Sequence, residues 1–124
     1  MKRFILAATF ATLSTAATAD IYECNRTRMS TDGFNSRSAA ENWFPKTSKL
    51  QIVGDKAGSD YYGKGTVVEK DGRFIATFPI DFEGVVNSVS VTFIPRTNRY
   101  SVRLNTGGNY MQTVGAGGKC KKIG

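Results

Sequence analysis

Hydrophobic and polar residues alternate along most of this chain from Lys49 onward. A period of two is typical of β-strands that bury one face and expose the other. Turn-forming residues interrupt the alternation at short intervals, which predicts tight hairpins. The pattern therefore predicts an antiparallel, all-β domain whose strand registers can be worked out by counting.

Three hairpins follow from this counting. A two-residue turn at Glu83-Gly84 sets Phe78 opposite Val89, Ala76 opposite Val91 and Phe74 opposite Phe93. A four-residue loop at Pro95-Arg96-Thr97-Asn98 sets Phe93 opposite Tyr100, Val91 opposite Val102 and Val89 opposite Leu104, with Thr92–Ser101 and Ser90–Arg103 on a polar outer face. A turn at Gly107-Gly108 sets Leu104 opposite Met111 and Val102 opposite Thr113. All three registers place the same residues on one inner face, which favours a continuous meander.

A fourth hairpin turns at Asp71-Gly72, and its register has two solutions. A plain two-residue turn faces Glu69 inward, whereas a bulge at Gly72 faces Val68 inward. We favour the bulge, because burial of an unpaired carboxylate is costly.

The remaining elements complete a small barrel. Further strands are expected at residues 49–53 and near residues 21–27, giving about seven strands that close as an up-and-down barrel or a barrel-like sandwich. One short helix near residues 38–44 is indicated by a capping box at Ser38-Ala39-Ala40-Glu41 and by Pro45, which ends it. Small barrels are filled by side chains, and we expect five aromatic residues to fill this one: Trp43, Phe74, Phe78, Phe93 and Tyr100.

The N-terminus has the three parts of a secretory signal peptide. Lys2 and Arg3 are basic, an apolar stretch follows from Phe4 to Leu13, and Ala17-Thr18-Ala19 is a small-residue cleavage site. The apolar stretch is too short to span a bilayer. We therefore expect residues 1–19 to be a cleaved signal and residues 20–124 to be a single periplasmic or secreted domain.

The two cysteines fit export. Cys24 and Cys120 lie near opposite ends of the expected mature chain. In an oxidising compartment such a pair predicts one disulfide that ties the termini together. A redox-active pair would be expected as a closely spaced C-x-x-C, which is absent.

The composition leaves little catalytic chemistry. The chain has no His and two Cys, which excludes His-based triads and Cys/His zinc sites, and we expect no metal and no cofactor. Carboxylates are the one remaining option for hydrolysis, and Asp81 and Glu83 are the nearest pair. Acids are common at turns for local structural reasons, so we expect that this protein is not an enzyme.

The net charge is +7, and removal of Lys2 and Arg3 leaves 15 basic and 10 acidic residues, a net charge of +5. Alternation places Arg99 and Arg103 on one outward face, with Arg96 in the preceding turn. Such a face predicts contact with an anionic lipid or glycan. A merely solvated face is the alternative, favoured by acids interspersed along the chain. Nucleic acid is not an expected partner, because the chain is exported and has no nucleic-acid-binding motif.

Tyr61 and Tyr62 form a second candidate site. They lie in the longest predicted loop, from Gly54 to Gly65. Exposed aromatic residues anchor recognition surfaces. Alternatively the loop folds back over the barrel mouth, with one ring pointing into the core.

The frame of the chain resembles that of the bacterial periplasmic C-type lysozyme inhibitors. The resemblance rests on Tyr22-Glu23-Cys24, a β-rich middle and the terminal Cys120. It implies a small barrel that inserts a Ser-Gly-rich loop into the lysozyme cleft, and Ala57-Gly58-Ser59-Asp60-Tyr61 matches that loop only loosely. A basic inhibitor would also meet like-charge repulsion from a basic lysozyme.

Two functions are therefore expected of this sequence. The first is an exported, non-enzymatic binding protein of the bacterial envelope that contacts anionic components through the basic face. The alternative is a protein-interaction or inhibitor module, acting on an envelope protein or similar partner through the loop from Gly54 to Gly65.

Overall fold

The computed structural model describes residues 19–83, 86–106 and 113–124, and of residues 81–83, 113 and 114 it describes the backbone alone. The predicted signal peptide therefore lies outside the described residues, apart from Ala19. So do the predicted turn residues Gly84, Gly107 and Gly108, and Met111.

Eight antiparallel strands form a closed barrel in which each strand pairs with its neighbours in sequence and β8 pairs with β1. The elements in chain order are β1 Asp20–Met29, α1 Arg37–Trp43, β2 Thr47–Val53, β3 Lys56–Ser59, β4 Gly63–Lys70, β5 Arg73–Glu83, β6 Val86–Ile94, β7 Arg99–Thr106 and β8 Thr113–Lys122. The predicted all-β, up-and-down barrel is confirmed, with one strand more than expected.

The additional strand is β3. The predicted loop from Gly54 to Gly65 is wrong, since Lys56–Ser59 pairs with β2 on one side and β4 on the other. Its residues are Lys, Ala, Gly and Ser, which have low strand propensity. Its place between two longer strands, and not its own sequence, makes it a strand.

The β6–β7 hairpin has the predicted register from Ser88 to Asn105 and shifts beyond it, between Val86 and Ser88. Phe93 pairs with Tyr100, Val91 with Val102 and Val89 with Leu104, while Thr92–Ser101 and Ser90–Arg103 pair on the outer face. The three predicted pairs between β5 and β6 are also confirmed.

The turn predicted at Glu83-Gly84 is wrong. The register shifts after Pro79, and Glu83 pairs with Val86, so Glu83 lies in β5. Proline has no N–H to donate to the ladder, which explains why the pairing becomes irregular beyond it.

The register predicted for β7 and β8 is wrong by two residues or more. Leu104 pairs with Thr113, and Val102 pairs with Ala116, with a shift between Val102 and Arg103. The bulged residue is Gly115, where a Cβ would overlap the ring of Phe44. This close approach requires glycine, and the bulge adds one residue to the two-residue offset that is already present at the Leu104–Thr113 pair.

The bulge predicted at Gly72 is also wrong. Asp71 and Gly72 both have positive φ, as a primed two-residue turn requires, and Lys70 pairs with Arg73. Val67 is buried and Val68 is 61% exposed. Glu69 lies on the same side of β4 as the buried Val67, but it is near the barrel end and is exposed. The bulge was favoured because burial of an unpaired carboxylate is costly, and that cost does not arise here.

Helix α1 closes the barrel end at which β1 ends and β2 begins. Its N-cap is Ser36, whose Oγ accepts a hydrogen bond of 3.1 Å from the Ala39 N–H, so the capping box predicted at Ser38 is wrong by two residues. Phe44, directly after the helix, is 1% exposed and packs edge-to-face on Phe34. In the described part of the chain, no helix has the length and apolar character needed to cross a membrane.

The interior is filled, as predicted. Phe78 and Phe93 are fully buried, Tyr100 is buried, and Phe74 and Trp43 are partly buried against the core. A cavity between the core and the segment that follows α1 has a volume of about 10 Å³, room for one water molecule at most. The predicted disulfide is confirmed: Cys24 and Cys120 are bonded and pair directly across the β1–β8 seam.

Candidate functional site

The predicted basic face, with Arg96, Arg99 and Arg103, lies on a sector of the barrel that has no acids. Residues 84–124 contain six Lys and Arg and no Asp or Glu, so all ten acids precede them in the chain. These residues include β6, β7 and β8, which are adjacent in the barrel. We call this part of the barrel surface the acid-free sector. The interspersed acids that favour a solvated face do not extend into it.

Arg99 and Arg103 are exposed on β7, on either side of Ser101, as the alternation predicts. Arg96 is exposed in the turn between β6 and β7. The β7–β8 pairing adds a basic residue, because Lys119 on β8 pairs directly with Arg99. Like charges directly opposite each other destabilise a sheet. The fold therefore tolerates a local repulsion at this position.

Arg28 extends the basic surface from β1. It pairs with Gly117, and a Cβ on Gly117 would overlap its guanidinium group. Gly117 in turn pairs with Ser101. The missing side chain at Gly117 thus lets Arg28 lie over β8, towards the row of residues that contains Ser101.

The two lysines at the C-terminus are different. Lys121 pairs with Glu23 at 3.6 Å, and Lys122 pairs with Asp20 at 3.3 Å. These exposed ion pairs contribute little stability, but they neutralise both lysines locally. The basic surface is therefore centred on Arg99, Arg103 and Lys119.

A depression of about 220 Å³ lies on the outer face of β5, β6 and β7. Its lining is Ile75, Ser90, Thr92, Ser101, Arg103 and Asn105. Small hydroxyl residues form its floor because they lie between the longer side chains of neighbouring rows. We call it the polar depression.

Asn105 orders one edge of the polar depression. Its Nδ2 donates hydrogen bonds of 2.9 Å to Ser88 Oγ and 2.9 Å to Ser90 Oγ. Each hydroxyl that accepts in this way keeps its own proton to donate elsewhere. Sequence reasoning identified Ser90 and Ser101 as outward residues but not as parts of a concave site.

Tyr61 and Tyr62 lie in the tight turn between β3 and β4. Tyr62 packs on Phe78 with ring centroids 5.9 Å apart, and its hydroxyl donates to the carbonyl of Trp43. Tyr61 is 48% exposed, and its hydroxyl donates to the carbonyl of Asn42. Burial raises the pKa of the Tyr62 hydroxyl far above its usual value, and the neighbouring Tyr61 adds a smaller rise.

These tyrosines form one wall of a groove. The groove has a volume of about 370 Å³ and is lined by Asn42, Trp43, Tyr61, Tyr62 and Ile80. We call it the aromatic groove. It lies at the barrel end that α1 closes, whereas Arg96 and Arg99 lie towards the other end.

The carboxylates are dispersed in local roles. Asp60 Oδ1 accepts a hydrogen bond of 2.8 Å from the Lys49 N–H, and Glu41 pairs with Arg37 within α1. The side chains of Asp81 and Glu83 lie outside the described residues. Among the residues whose side chains are described, no three potential metal ligands come together.

Comparisons of the chain with models of known protein families, with curated protein sequences and with solved structures find no match.

Proposed function

We propose that this protein is an exported, non-enzymatic binding protein of the bacterial envelope that contacts anionic components through the acid-free sector. The observation that supports this most is the cluster of Arg99, Arg103 and Lys119 in a sector without a single acid. A basic surface of this kind attracts anionic lipid headgroups or acidic glycans and speeds their association.

The pairing of Arg99 with Lys119 supports a binding role over a solvated surface. If this face served only solubility, a neutral residue could replace either Arg99 or Lys119 without harm. The barrel would then be more stable, because the repulsion between the two side chains would be gone. A bound anion placed between the two side chains would turn the repulsion into two favourable contacts.

Export is part of the proposal. It is supported by the signal-like pattern of residues 1–19 and by the bonded pair Cys24–Cys120, since disulfides persist in oxidising compartments. A Gram-negative periplasm is the proposed location.

The alternative is a protein-interaction or inhibitor module that uses residues 54–65. The aromatic groove favours it, because aromatic side chains anchor protein interfaces. Both tyrosine hydroxyls are, however, bonded to carbonyl groups at the end of α1. The segment therefore presents a groove wall, whereas an inhibitory loop would have to project into a cleft.

The test is binding to vesicles of phosphatidylglycerol and to an acidic polysaccharide, compared at low and high salt. We expect binding that weakens steeply with salt, because the contacts are exposed and the Debye length falls from about 10 Å at 0.1 M to about 3 Å at 1 M. The double variant Arg99→Gln/Arg103→Gln should bind much more weakly.

A charge-matched control is available on the opposite side of the barrel. Lys56 on β3 and Lys64 on β4 are both exposed, so Lys56→Gln/Lys64→Gln removes the same charge at a different place. Equal losses in the two double variants would mean that net charge alone drives binding and would overturn the proposed site. Loss of partner binding in Tyr61→Ala/Tyr62→Ala, with the arginine variants unaffected, would support the alternative.

A further inference from the structure

We propose that the polar depression is a specific site for one phosphomonoester group carried by a sugar or a similar polyhydroxyl group. This inference rests on the proposed function and names the chemistry of its ligand. It requires that the acid-free sector act through a defined site, beyond its overall charge.

The floor of the polar depression supplies hydrogen-bond donors. Ser90 Oγ already accepts from Asn105 Nδ2 at 2.9 Å, so its proton is directed away from Asn105. Thr92 and Ser101 pair across β6 and β7 at the centre of the floor, and no hydrogen bond engages either hydroxyl within the part of the chain that the structure describes. Phosphate oxygens accept several hydrogen bonds at once, which suits a floor of three hydroxyls.

One arginine lines this floor, and two more lie on neighbouring positions of the same outer surface. Arg103 lines the polar depression directly. Arg99 lies two residues from Ser101 on the same outward face, and Arg28 lies over Gly117, which pairs with Ser101. A phosphomonoester carries a charge of about −1.5 to −2 at pH 7, more than one guanidinium neutralises. Arg103, with Arg99 and Arg28 on the neighbouring surface, would supply more than one positive charge to such a group.

The rest of the lining suits the sugar. Asn105 Oδ1 can accept a hydrogen bond from a ligand hydroxyl, and the partly buried Ile75 on β5 offers an apolar wall for the C–H face of a ring. A bare anion site would need no such wall. A volume of about 220 Å³ limits the bound portion to a small group, in contrast to an extended polyanion spread over the surface.

The test is an NMR titration of the ¹⁵N-labelled protein with glucose 6-phosphate, inorganic phosphate and glucose. We expect glucose 6-phosphate to give saturable shifts centred on the amides of Ser90, Ser101 and Arg103. Inorganic phosphate should bind the same residues more weakly, and glucose should cause no comparable change. Shifts spread evenly over all exposed lysines and arginines, without saturation, would overturn the inference.

Two isosteric or neutral substitutions sharpen the test. Thr92→Val removes a hydroxyl with little change of shape, and Arg103→Gln removes a charge. Each should weaken glucose 6-phosphate binding about tenfold or more, the loss expected for one charge-assisted hydrogen bond. Lys56→Gln, on the opposite strand β3, should leave the affinity within about twofold, because the exposed charge lies beyond a Debye length. Unchanged affinity in Thr92→Val and Arg103→Gln would place the ligand elsewhere.

Competition then separates the sources of the phosphate. If vesicles containing phosphatidic acid displace glucose 6-phosphate, the site binds a phosphate group carried by a lipid headgroup. If they do not, the site binds a phosphate group carried by a soluble sugar. The failure of this inference also differs from the failure of the proposed function. The protein could bind polyanions in a salt-sensitive way that Arg99→Gln/Arg103→Gln abolishes and yet show no saturable phosphate binding. That result would overturn the phosphate site alone. A protein that binds no anion at all would overturn both the site and the proposed function.

Discussion

At the scale of single residues, Tyr62 joins the core to the helix. Its ring packs on Phe78, and its hydroxyl donates to the carbonyl of Trp43, where an ionised phenolate would have no proton to give. One tyrosine of the pair was expected to point inward, and Tyr62 does. That one of two adjacent tyrosines points inward could be predicted, but the partner of its hydroxyl in α1 could not, since no local pattern relates the two segments.

The buried Tyr62 hydroxyl predicts loss of stability at alkaline pH. The pKa of the hydroxyl is raised in the folded protein, above the value of 10.0 that applies when it is exposed. Its contribution is fully present below pH 10 and declines above pH 10, because the unfolded chain then releases a proton that the folded chain keeps. The free energy of unfolding should fall by up to about 1.4 kcal/mol per pH unit for this group.

Urea denaturation between pH 8 and pH 11 (about one unit beyond the free tyrosine value) measures this effect. Tyr62→Phe should lower stability at pH 8, because a hydrogen bond is lost, and should reduce the decline above pH 10. Tyr61→Phe is the matched control, since Tyr61 is about half exposed. An alkaline decline that is the same in Tyr62→Phe and in the native protein would contradict the account.

Two glycines of β8 give a second residue-scale prediction. A Cβ at Gly115 would overlap the ring of Phe44, which is 1% exposed and has no room to move. A Cβ at Gly117 would meet the guanidinium of Arg28, the far end of a flexible side chain. Gly115→Ala should therefore destabilise the protein by about 1–3 kcal/mol, as overpacking does.

Gly117→Ala is the matched substitution and should cost less than about 1 kcal/mol, since it displaces an exposed side chain. Chemical denaturation of the two variants compares them directly. Equal costs would show that Phe44 does not hold the helix end against β8 as described.

At the scale of elements, the β6–β7 hairpin was predictable and β3 was not. Hydrophobic and polar residues alternate strictly over residues 88–93 and 99–104, and the length of the loop between them fixes the register, so each local choice agrees with the others. Strand β3 has only four residues and takes its conformation from its neighbours. The predicted β7–β8 register is off by two residues at Leu104, and the bulge at Gly115, which makes room for the distant Phe44, adds a third at Val102.

On the outward face of β7, Arg99 lies directly opposite the like-charged Lys119. Arg99→Gln removes the direct repulsion with Lys119 and should stabilise the protein by about 0.2–1 kcal/mol at low salt. The gain should shrink as salt is added, because exposed charges are screened. The same variant should bind anionic vesicles less well.

Thermal unfolding at low and high salt measures the first effect, and Lys64→Gln on β4, whose cross-strand partner on β3 is Gly58, is a comparison for the loss of an exposed basic residue without a like charge opposite it. A destabilised Arg99→Gln would mean that Arg99 serves the fold, and the interpretation of the pair as a binding feature would be wrong.

At the scale of the whole molecule, pairing between strands assembles the candidate site, and closure of the barrel extends it to Arg28. Alternation alone placed Arg99 and Arg103 on one face, so that part of the site was predictable from sequence. Lys119 and Arg28 join it only because β8 pairs with both β7 and β1. The concavity of the polar depression depends on side-chain sizes across three strands, which one-dimensional patterns do not show.

The disulfide holds the same closure. Cys24 and Cys120 are 96 residues apart in sequence and pair across the β1–β8 seam. Cys24→Ser/Cys120→Ser should lower the free energy of unfolding by about 4–5 kcal/mol if restriction of the unfolded chain is the main effect. Urea denaturation of the oxidised protein and of this double variant measures the difference, and a loss below about 1 kcal/mol would show that closure does not depend on the bond.

The central claim is that the acid-free sector binds an anionic component of the envelope. The most direct test is the binding of the protein to the envelope fraction of its own host, measured as salt is raised, for the native protein, for Arg99→Gln/Arg103→Gln and for Lys56→Gln/Lys64→Gln. We predict that the native protein and the Lys56/Lys64 variant bind at low salt and lose this binding at high salt. The Arg99/Arg103 variant should bind little at any salt. Binding that resists salt and survives the loss of Arg99 and Arg103 would contradict the account.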